Sequence, residues 1–293
     1  GVEGIALSEI AYQTAVAFCK DRRQGRSLNA ERVEKDAKAD NILVHPDVRR
    51  QLLNVRATTE GMRALALWTS MYIDVGLHHE DEAIRQEADD MVALLTPVIK
   101  AYCTERGFQN VSDCMQVTGG SGYTTDWCIE QYLRDARIAM IYEGTNHIQA
   151  LDLVGRKLPK DGGRLYKRFS KKVYKFIQAN KDVAGMAEFI GPLEASINQL
   201  NETTMNLAMQ GMSDPEWAAA VATNYLNLFG VTGCAYMWAR MARACLEPSN
   251  KFQRTKFRMA RYYYTNVLPE AQSYMSYIKA GKGNMMAFEA DEF

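Results

Sequence analysis

The segment IRQEADDMVALLTPVIKAY, residues 84–102, decides the fold class of this 293-residue chain. Its apolar side chains follow one another at steps of 4, 3, 4, 3 and 4 residues, which puts them on one face of an α-helix. The stripe consists of Ile84, Ala88, Met91, Leu95, Val98 and Tyr102. So regular a stripe is typical of a helix packed in an antiparallel bundle. Pro97 is expected to kink this helix locally.

Helical periodicity continues on both sides of this segment. Gly25 suits the end of a first helix, and Pro46 suits the first turn of a second, which begins at His45-Pro46-Asp47. The other predicted helices cover 107–117, 126–138, 145–157 and three stretches between 185 and 281. Only 7 prolines and little alternating pattern accompany them. The sequence therefore predicts an all-α protein, an antiparallel helical bundle followed by a second helical unit.

The composition excludes several classes of function. Formal net charge is zero and 47% of the residues are hydrophobic, so no global field recruits nucleic acid. No apolar run is long enough to span a bilayer, and we expect a soluble globular protein of the cytoplasm. The six cysteines form no CxxC pair, which favours buried thiols in a reducing compartment over disulfides.

Residues 155–172 are rich in charge, with eight Lys or Arg beside a Pro and a Gly pair. A nucleic-acid or acidic-lipid patch would fit this composition. No aromatic residue completes a known binding motif with these charges, so an exposed linker between two domains is the favoured interpretation.

Residues 116–149, QVTGGSGYTTDWCIEQYLRDARIAMIYEGTNHIQ, carry the features that suggest chemistry. Glycines at 119, 120 and 122 let the backbone approach a ligand closely. The pattern is neither a Walker loop nor GxGxxG, so a plain turn between helices explains it better. No helix offers Glu-x-x-His, which argues against a ferritin-like di-metal bundle, and we predict no metal site.

Glu143 follows the uncharged run 138–142 and precedes Gly144 and Thr145. A carboxylate approached by apolar residues is expected to be desolvated, which makes it a better base. Thr145 can cap the next helix. Equally, the negative charge of Glu143 could do no more than stabilise the N-terminal end of that helix. The residues alone leave both interpretations open.

QVTGGSGY and RDARIAMIYEGTNHIQ together resemble the C-terminal signature of the acyl-CoA dehydrogenases. KDRRQG at 20–25 and a polar residue at His45 extend the resemblance. It implies that residues 1–158 form the C-terminal helical bundle of that family, and that residues 159–293 form the extra helical domain of its longer bacterial members, helping to form the oligomer. The family's N-terminal helical and middle β domains are expected to be absent from this chain.

The resemblance also implies a reaction. Glu143 would remove the α-proton of an acyl-CoA thioester while the β-hydride passes to FAD, giving a trans-2-enoyl-CoA. The backbone N–H of Glu143, with a flavin hydroxyl, would bind the thioester oxygen. Tyr142 and Gly144 would flank the substrate. Arg134-Asp135 fits the signature as a structural ion pair.

Ten residues are implied as FAD contacts by the same resemblance. They are Arg22, Gln24, His45, Gln116, Val117, Thr118, Gly119, Gly120, Thr145 and His147. In the family several of these reach the FAD of a neighbouring subunit, so a homodimer or dimer of dimers is expected. Electron-transferring flavoprotein is the expected electron acceptor. The alternative is a non-catalytic helical oligomerisation or interaction module derived from the family.

Overall fold

Helices make up the regular structure of the computed structural model, which describes residues 1–293. The all-α prediction is confirmed, since the only strand-like pairing is an isolated bridge between Arg23 and Asn41. The α-helices are α1 (Val2–Asp21), α2 (Pro46–His78), α3 (Glu82–Thr118), α4 (Ile129–Ala139), α5 (Asn146–Asp152), α6 (Arg164–Asn180), α7 (Ala187–Ser213), α8 (Pro215–Ala244), α9 (Lys251–Tyr262) and α10 (Glu270–Ala280). None of these helices combines the length and the apolar character needed to cross a membrane.

Helices α1, α2 and α3 form the centre of the first half. Helices α1 and α3 touch backbone to backbone, because a Cβ on Gly4 would lie 2.4 Å from the carbonyl oxygen of Cys103. Between the three helices, the buried Asn110 amide donates to Ser8 and Thr59, both at 3.3 Å. The close approach and the shared polar cluster fix the register of the three helices.

Helix α3 is longer than the sequence pattern predicts. It runs without a break from Glu82 to Thr118, so the separate helix predicted at 107–117 is wrong. Pro97 lies inside it, where the remaining backbone hydrogen bonds and the buried side chains of Leu95 and Val98 hold the helix together. Ile84, at the start of the predicted stripe, is instead exposed.

Residues 155–172, the basic segment, do not form the exposed linker that their composition predicts. Residues Leu153–Lys157 form a π-helical turn that continues α5, and the second part of the segment begins α6. Leu165 and Phe169 of α6 are fully buried. Four helices, α7 to α10, then follow where three were predicted, because a π-helical turn at Tyr263–Val267 separates the last two.

One hydrophobic core of 52 buried residues includes side chains from both sides of residue 158. At its centre, the indole N–H of Trp238 on α8 donates to the carbonyl oxygen of Ala57 on α2 at 3.0 Å. A smaller cluster of 12 residues, including Phe18 and Val117, closes the end of the bundle where α1 and α3 finish. The division at 158/159 stays a prediction.

Candidate functional site

Glu143 lies on an exposed loop between α4 and α5. Its φ is +54° and that of Gly144 is +84°, so two successive residues have left-handed backbone. The apolar residues before it are open, with Ile138, Ile141 and Tyr142 exposed by 49%, 46% and 44%. Glu143 is therefore exposed, and the expectation that it is desolvated within this chain is wrong. Its apolar neighbours form an open surface rather than a pocket.

Three carbonyl groups of this loop, those of Met140, Glu143 and Gly144, accept hydrogen bonds from elsewhere in the chain. Lys100 Nζ donates to the Gly144 oxygen at 2.7 Å, and Gln149 Nε2 donates to the Glu143 oxygen at 3.2 Å. The Asn146 N–H donates to the oxygen of Met140 at 3.1 Å. The N–H groups of Glu143 and Gly144, in contrast, meet no acceptor in the chain. The loop thus presents two free donors beside a free carboxylate.

Lys100 is the anchor of the loop, and it was missed in the sequence because it lies 44 residues away on α3. Its ammonium also donates to Asn146 Oδ1 at 3.0 Å, where Thr104 Oγ1 donates as well, at 3.0 Å. Burial lowers the pKa of Lys100, while the charge of Glu143 acts in the opposite direction. Neither the spacing nor the residue type gives a sign of this contact.

Three other predicted residues lie around the same loop. The hydroxyl of Thr145 accepts from the Ile148 N–H at 3.3 Å, so the predicted helix cap is confirmed. His147 Nδ1 lies 3.1 Å from the hydroxyl of Thr223 on α8. The hydroxyl of Tyr142 donates to the carboxylate of Glu3, and this hydrogen bond raises the pKa of Tyr142.

Arg22, Gln24 and His45 form a second group, just after α1. Arg22 Nη2 donates to Gln24 Oε1 at 3.3 Å, and His45 Nε2 lies 2.8 Å from the carbonyl oxygen of Gln24. The backbone pairing beside Arg23 and Asn41 holds this group in place, since the Gln24 N–H donates to the backbone carbonyl oxygen of Asp40 at 3.0 Å. Arg22 is exposed and pairs with no carboxylate, so its guanidinium is free to meet an anion.

The glycine turn follows directly on α3. A Cβ on Gly119 or Gly120 would meet no atom within 4 Å, so an open cradle surrounds this backbone. Gln116 is exposed. The side chains of Val117 and Thr118 are instead buried, and Thr118 Oγ1 donates to the oxygens of the preceding turn. For a ligand, these two residues therefore offer backbone atoms rather than side chains.

The predicted site residues thus form two groups. The group around Glu143 lies beside the start of α1, and the group around Arg22 lies beyond its end. The 20 residues of α1 span about 30 Å. Along α3, Lys100 and Gln116 are separated by about 24 Å. The predicted ion pair of Arg134 with Asp135 is absent, because the Asp135 carboxylate accepts from Gln131 instead.

No group of three or more His, Cys, Asp or Glu side chains is placed to hold a metal ion. The fit to a dinucleotide is better. The free guanidinium of Arg22 suits a pyrophosphate, and the open backbone at Gly119 and Gly120 lets a large planar or sugar group approach.

Two known family models match the chain. The family described as "Acyl-CoA dehydrogenase, C-terminal domain" matches residues 1–158, and the one described as "Acetyl-CoA dehydrogenase C-terminal like" matches residues 169–289. The 3-methylmercaptopropionyl-CoA dehydrogenase of Ruegeria pomeroyi is 45% identical over 59% of the chain and 29% of its own length. A broad-specificity linear acyl-CoA dehydrogenase of Mycobacterium tuberculosis is 33% identical over 77% of the chain and 34% of its own length.

Solved structures share the fold. An acyl-CoA dehydrogenase from Bacillus anthracis, complexed with FAD, matches 99% of this chain and 48% of its own with a TM-score of 0.66 and 17% identity. ACDH-11 of Caenorhabditis elegans matches 89% of this chain and 41% of its own with a TM-score of 0.72, also at 17% identity. The chain therefore spans under half the length of each of these relatives.

Proposed function

Because this chain belongs to the acyl-CoA dehydrogenase family, we propose that it takes part in the α,β-dehydrogenation of an acyl-CoA thioester to a trans-2-enoyl-CoA, with Glu143 as the base that removes the α-proton. Bound FAD would supply the acceptor for the β-hydride. The observation that carries the proposal is the loop at Glu143, which combines a free carboxylate with free backbone donors.

The groups of this loop match what removal of an α-proton requires. A thioester α-proton is weakly acidic, and negative charge builds up on the thioester oxygen as the proton leaves. The unbonded N–H of Glu143 can donate to that oxygen, while its side chain takes the proton. Tyr142 and Gly144 would flank the thioester. A base of this kind works best away from water, so the open apolar surface at 138–142 needs a cover supplied from outside these residues.

The two residue groups would serve FAD in different ways. Thr145 caps α5 and His147 lies in its first turn, and both would contact the FAD at that loop. Arg22, Gln24 and His45, with Gln116 and the backbone from Val117 to Gly120, would hold the pyrophosphate region of an FAD. The separation of about 30 Å along α1 favours two flavins, the second bound mainly by a neighbouring copy. A homodimer or dimer of dimers would complete both sites, with electron-transferring flavoprotein as electron acceptor.

Glu143→Gln tests the base. In the flavin-loaded protein, this change removes the proton acceptor but keeps the shape of the side chain, so acyl-CoA should no longer bleach the flavin although FAD stays bound. Stopped-flow absorbance of the flavin band measures the rate. Reduction at the wild-type rate would exclude Glu143 as the base. A protein that purifies without flavin would favour the non-catalytic interaction module.

Arg22→Ala tests the cofactor site independently of catalysis. Losing a free guanidinium beside a pyrophosphate should weaken FAD retention. Arg32→Ala is the matched control, since Arg32 is exposed in the same loop region and also pairs with no carboxylate. Equal FAD affinity in both variants would contradict the assignment of Arg22.

A further inference from the structure

An apolar groove of about 860 Å³ lies between the π-helical turn after α5 and helices α6, α7 and α8. Leu151, Val154 and Leu207 are among its apolar walls. None of the residues that hold the Glu143 loop lines it. Grooves of this size and character are those in which proteins bind small apolar ligands.

Small residues keep the groove open. Gly155 and Gly162 line it, and a Cβ on either would meet no atom within 4 Å. Met205 and Met212 stand on its rim and are exposed by 60% and 88%. Unbranched methionine side chains adapt readily to the shape of a bound chain. An apolar surface of this extent, left in contact with water, favours an occupant over an empty groove.

The basic residues near the groove differ in whether an acidic side chain neutralises them. Of the eight basic residues at 155–172, five form ion pairs, with Asp152, Asp90, Asp161 and Glu87 as partners. Lys160, Lys167 and Lys171 pair with no carboxylate. Lys167 is the one charged residue that lines the groove, and its Nζ donates to the Gly162 oxygen at 2.9 Å. An anionic head group beside Lys167 would complete this arrangement.

We propose that the groove binds a medium-chain aliphatic carboxylate, with the chain along the apolar walls and the carboxylate at Lys167. The apolar length selects a hydrocarbon chain, and the lone lysine selects a single negative charge. This site is separate from the Glu143 loop and does not depend on the function proposed for that loop. The basic segment then serves two purposes, since Arg164, Arg168 and Lys172 hold α6 to α3. The unpaired Lys167 binds the ligand.

A fluorescent probe tests the proposal in the intact protein. Dansyl-labelled undecanoic acid should bind saturably, and unlabelled saturated fatty acids of 8 to 14 carbons should displace it. Each further methylene that the groove buries should tighten binding about fourfold. Ala208→Trp fills the groove from its exposed wall and should abolish binding. If Ala208→Trp unfolds the protein, Gly155→Leu tests the same point.

Lys167→Met should weaken binding of the acids about tenfold and leave binding of the corresponding alcohols unchanged. Lys175→Met is its control, because Lys175 is exposed on the same helix but does not line the groove. Glu143→Gln should bind the probe normally, which separates this site from the catalytic one. The proposal would be overturned if the probe still bound to both groove-filling variants. It would also be overturned if the protein bound anionic vesicles while monomeric fatty acids failed to displace the probe.

Discussion

The ammonium group of Lys100 donates a hydrogen bond to the carbonyl oxygen of Gly144 across 2.7 Å and thereby ties the loop of Glu143 to the middle of α3. Glu143 has a left-handed backbone conformation, which costs a non-glycine residue roughly 1–2 kcal/mol. The contact of Lys100 with Gly144, together with that of Gln149 with Glu143, holds this conformation in place.

Lys100→Met should slow flavin reduction by about 10- to 100-fold, because a small displacement of a catalytic group has a large effect on rate. The FAD contacts of the Arg22 group should persist, since Lys100 lies far from that group. The measurement is single-turnover reduction by acyl-CoA. Lys100→Arg, which can still donate to Gly144, should restore part of the rate. Lys181→Met, at an exposed lysine without an ion pair, is the control. A wild-type rate in Lys100→Met would show that the loop keeps its shape without this contact.

Gly119 and Gly120 offer a matched pair. Gly119 has a φ of +58° and a ψ of −147°, a conformation nearly restricted to glycine, whereas Gly120 has no positive φ. Both have free space around the Cβ position. Gly119→Ala should therefore lower the free energy of unfolding by about 1–3 kcal/mol through backbone strain alone. Gly120→Ala should leave it nearly unchanged. Urea denaturation measures both, and equal losses would contradict the assignment of strain to position 119.

Local pattern predicted the helical class, the start of α2 at Pro46 and the cap at Thr145, because each depends on a few neighbouring residues. Apolar spacing at 84–102 reflects the buried face of α3 directly. It could not show that α3 continues to Thr118, since that depends on packing against α1 across Gly4 and Gly107. It also missed Lys100, whose partners come from a distant loop.

For the basic segment, the sequence pattern predicted exposure where the structure shows burial. Its charge suggested an exposed linker, yet Leu165 and Phe169 are buried and three of its eight basic side chains pair with carboxylates on α3. Apolar residues spaced by four were present in the segment, but composition alone concealed them. For Glu143, the apolar residues before it suggested burial, and only the three-dimensional arrangement reveals that they form an open surface.

Asp40 should make the stability of the Arg22 region depend on pH. Its buried carboxylate accepts from the Ser27 and Glu34 N–H groups at 2.7 and 2.8 Å, and these bonds lower the pKa of Asp40. Because the folded-state pKa lies below that of the unfolded chain, about 3.9, the ionised carboxylate stabilises the fold above that pH. This stabilisation is lost as the pH falls through the lower folded-state pKa.

Asp40→Asn should therefore lower the thermal midpoint at pH 7 and lessen its fall between about pH 5 and pH 2. Circular dichroism at a series of pH values measures the midpoint. Asp36→Asn, at an exposed carboxylate in the same loop, is the control. If the two variants gave parallel profiles, the pH dependence would not come from Asp40.

Asp90 should be the residue through which α6 is most strongly held to α3. Its carboxylate is 2% exposed and contacts Arg164 at 2.8 Å and Arg168 at 2.7 Å. Removing it leaves two arginines that are still 37% and 24% exposed, so water can solvate part of the freed charge. Asp90→Ala should lower the free energy of unfolding by about 2–3 kcal/mol, below the full effect of an uncompensated buried charge.

Glu87→Ala is the matched comparison, because Glu87 also pairs with α6, through Lys172, but is 45% exposed. An exposed pair of this kind contributes about 0–1 kcal/mol. Urea denaturation of both variants, with hydrogen exchange of the α6 amides, separates local loosening from global loss. A Glu87→Ala variant as unstable as Asp90→Ala would mean that burial does not decide which of these contacts holds the two halves of the chain together.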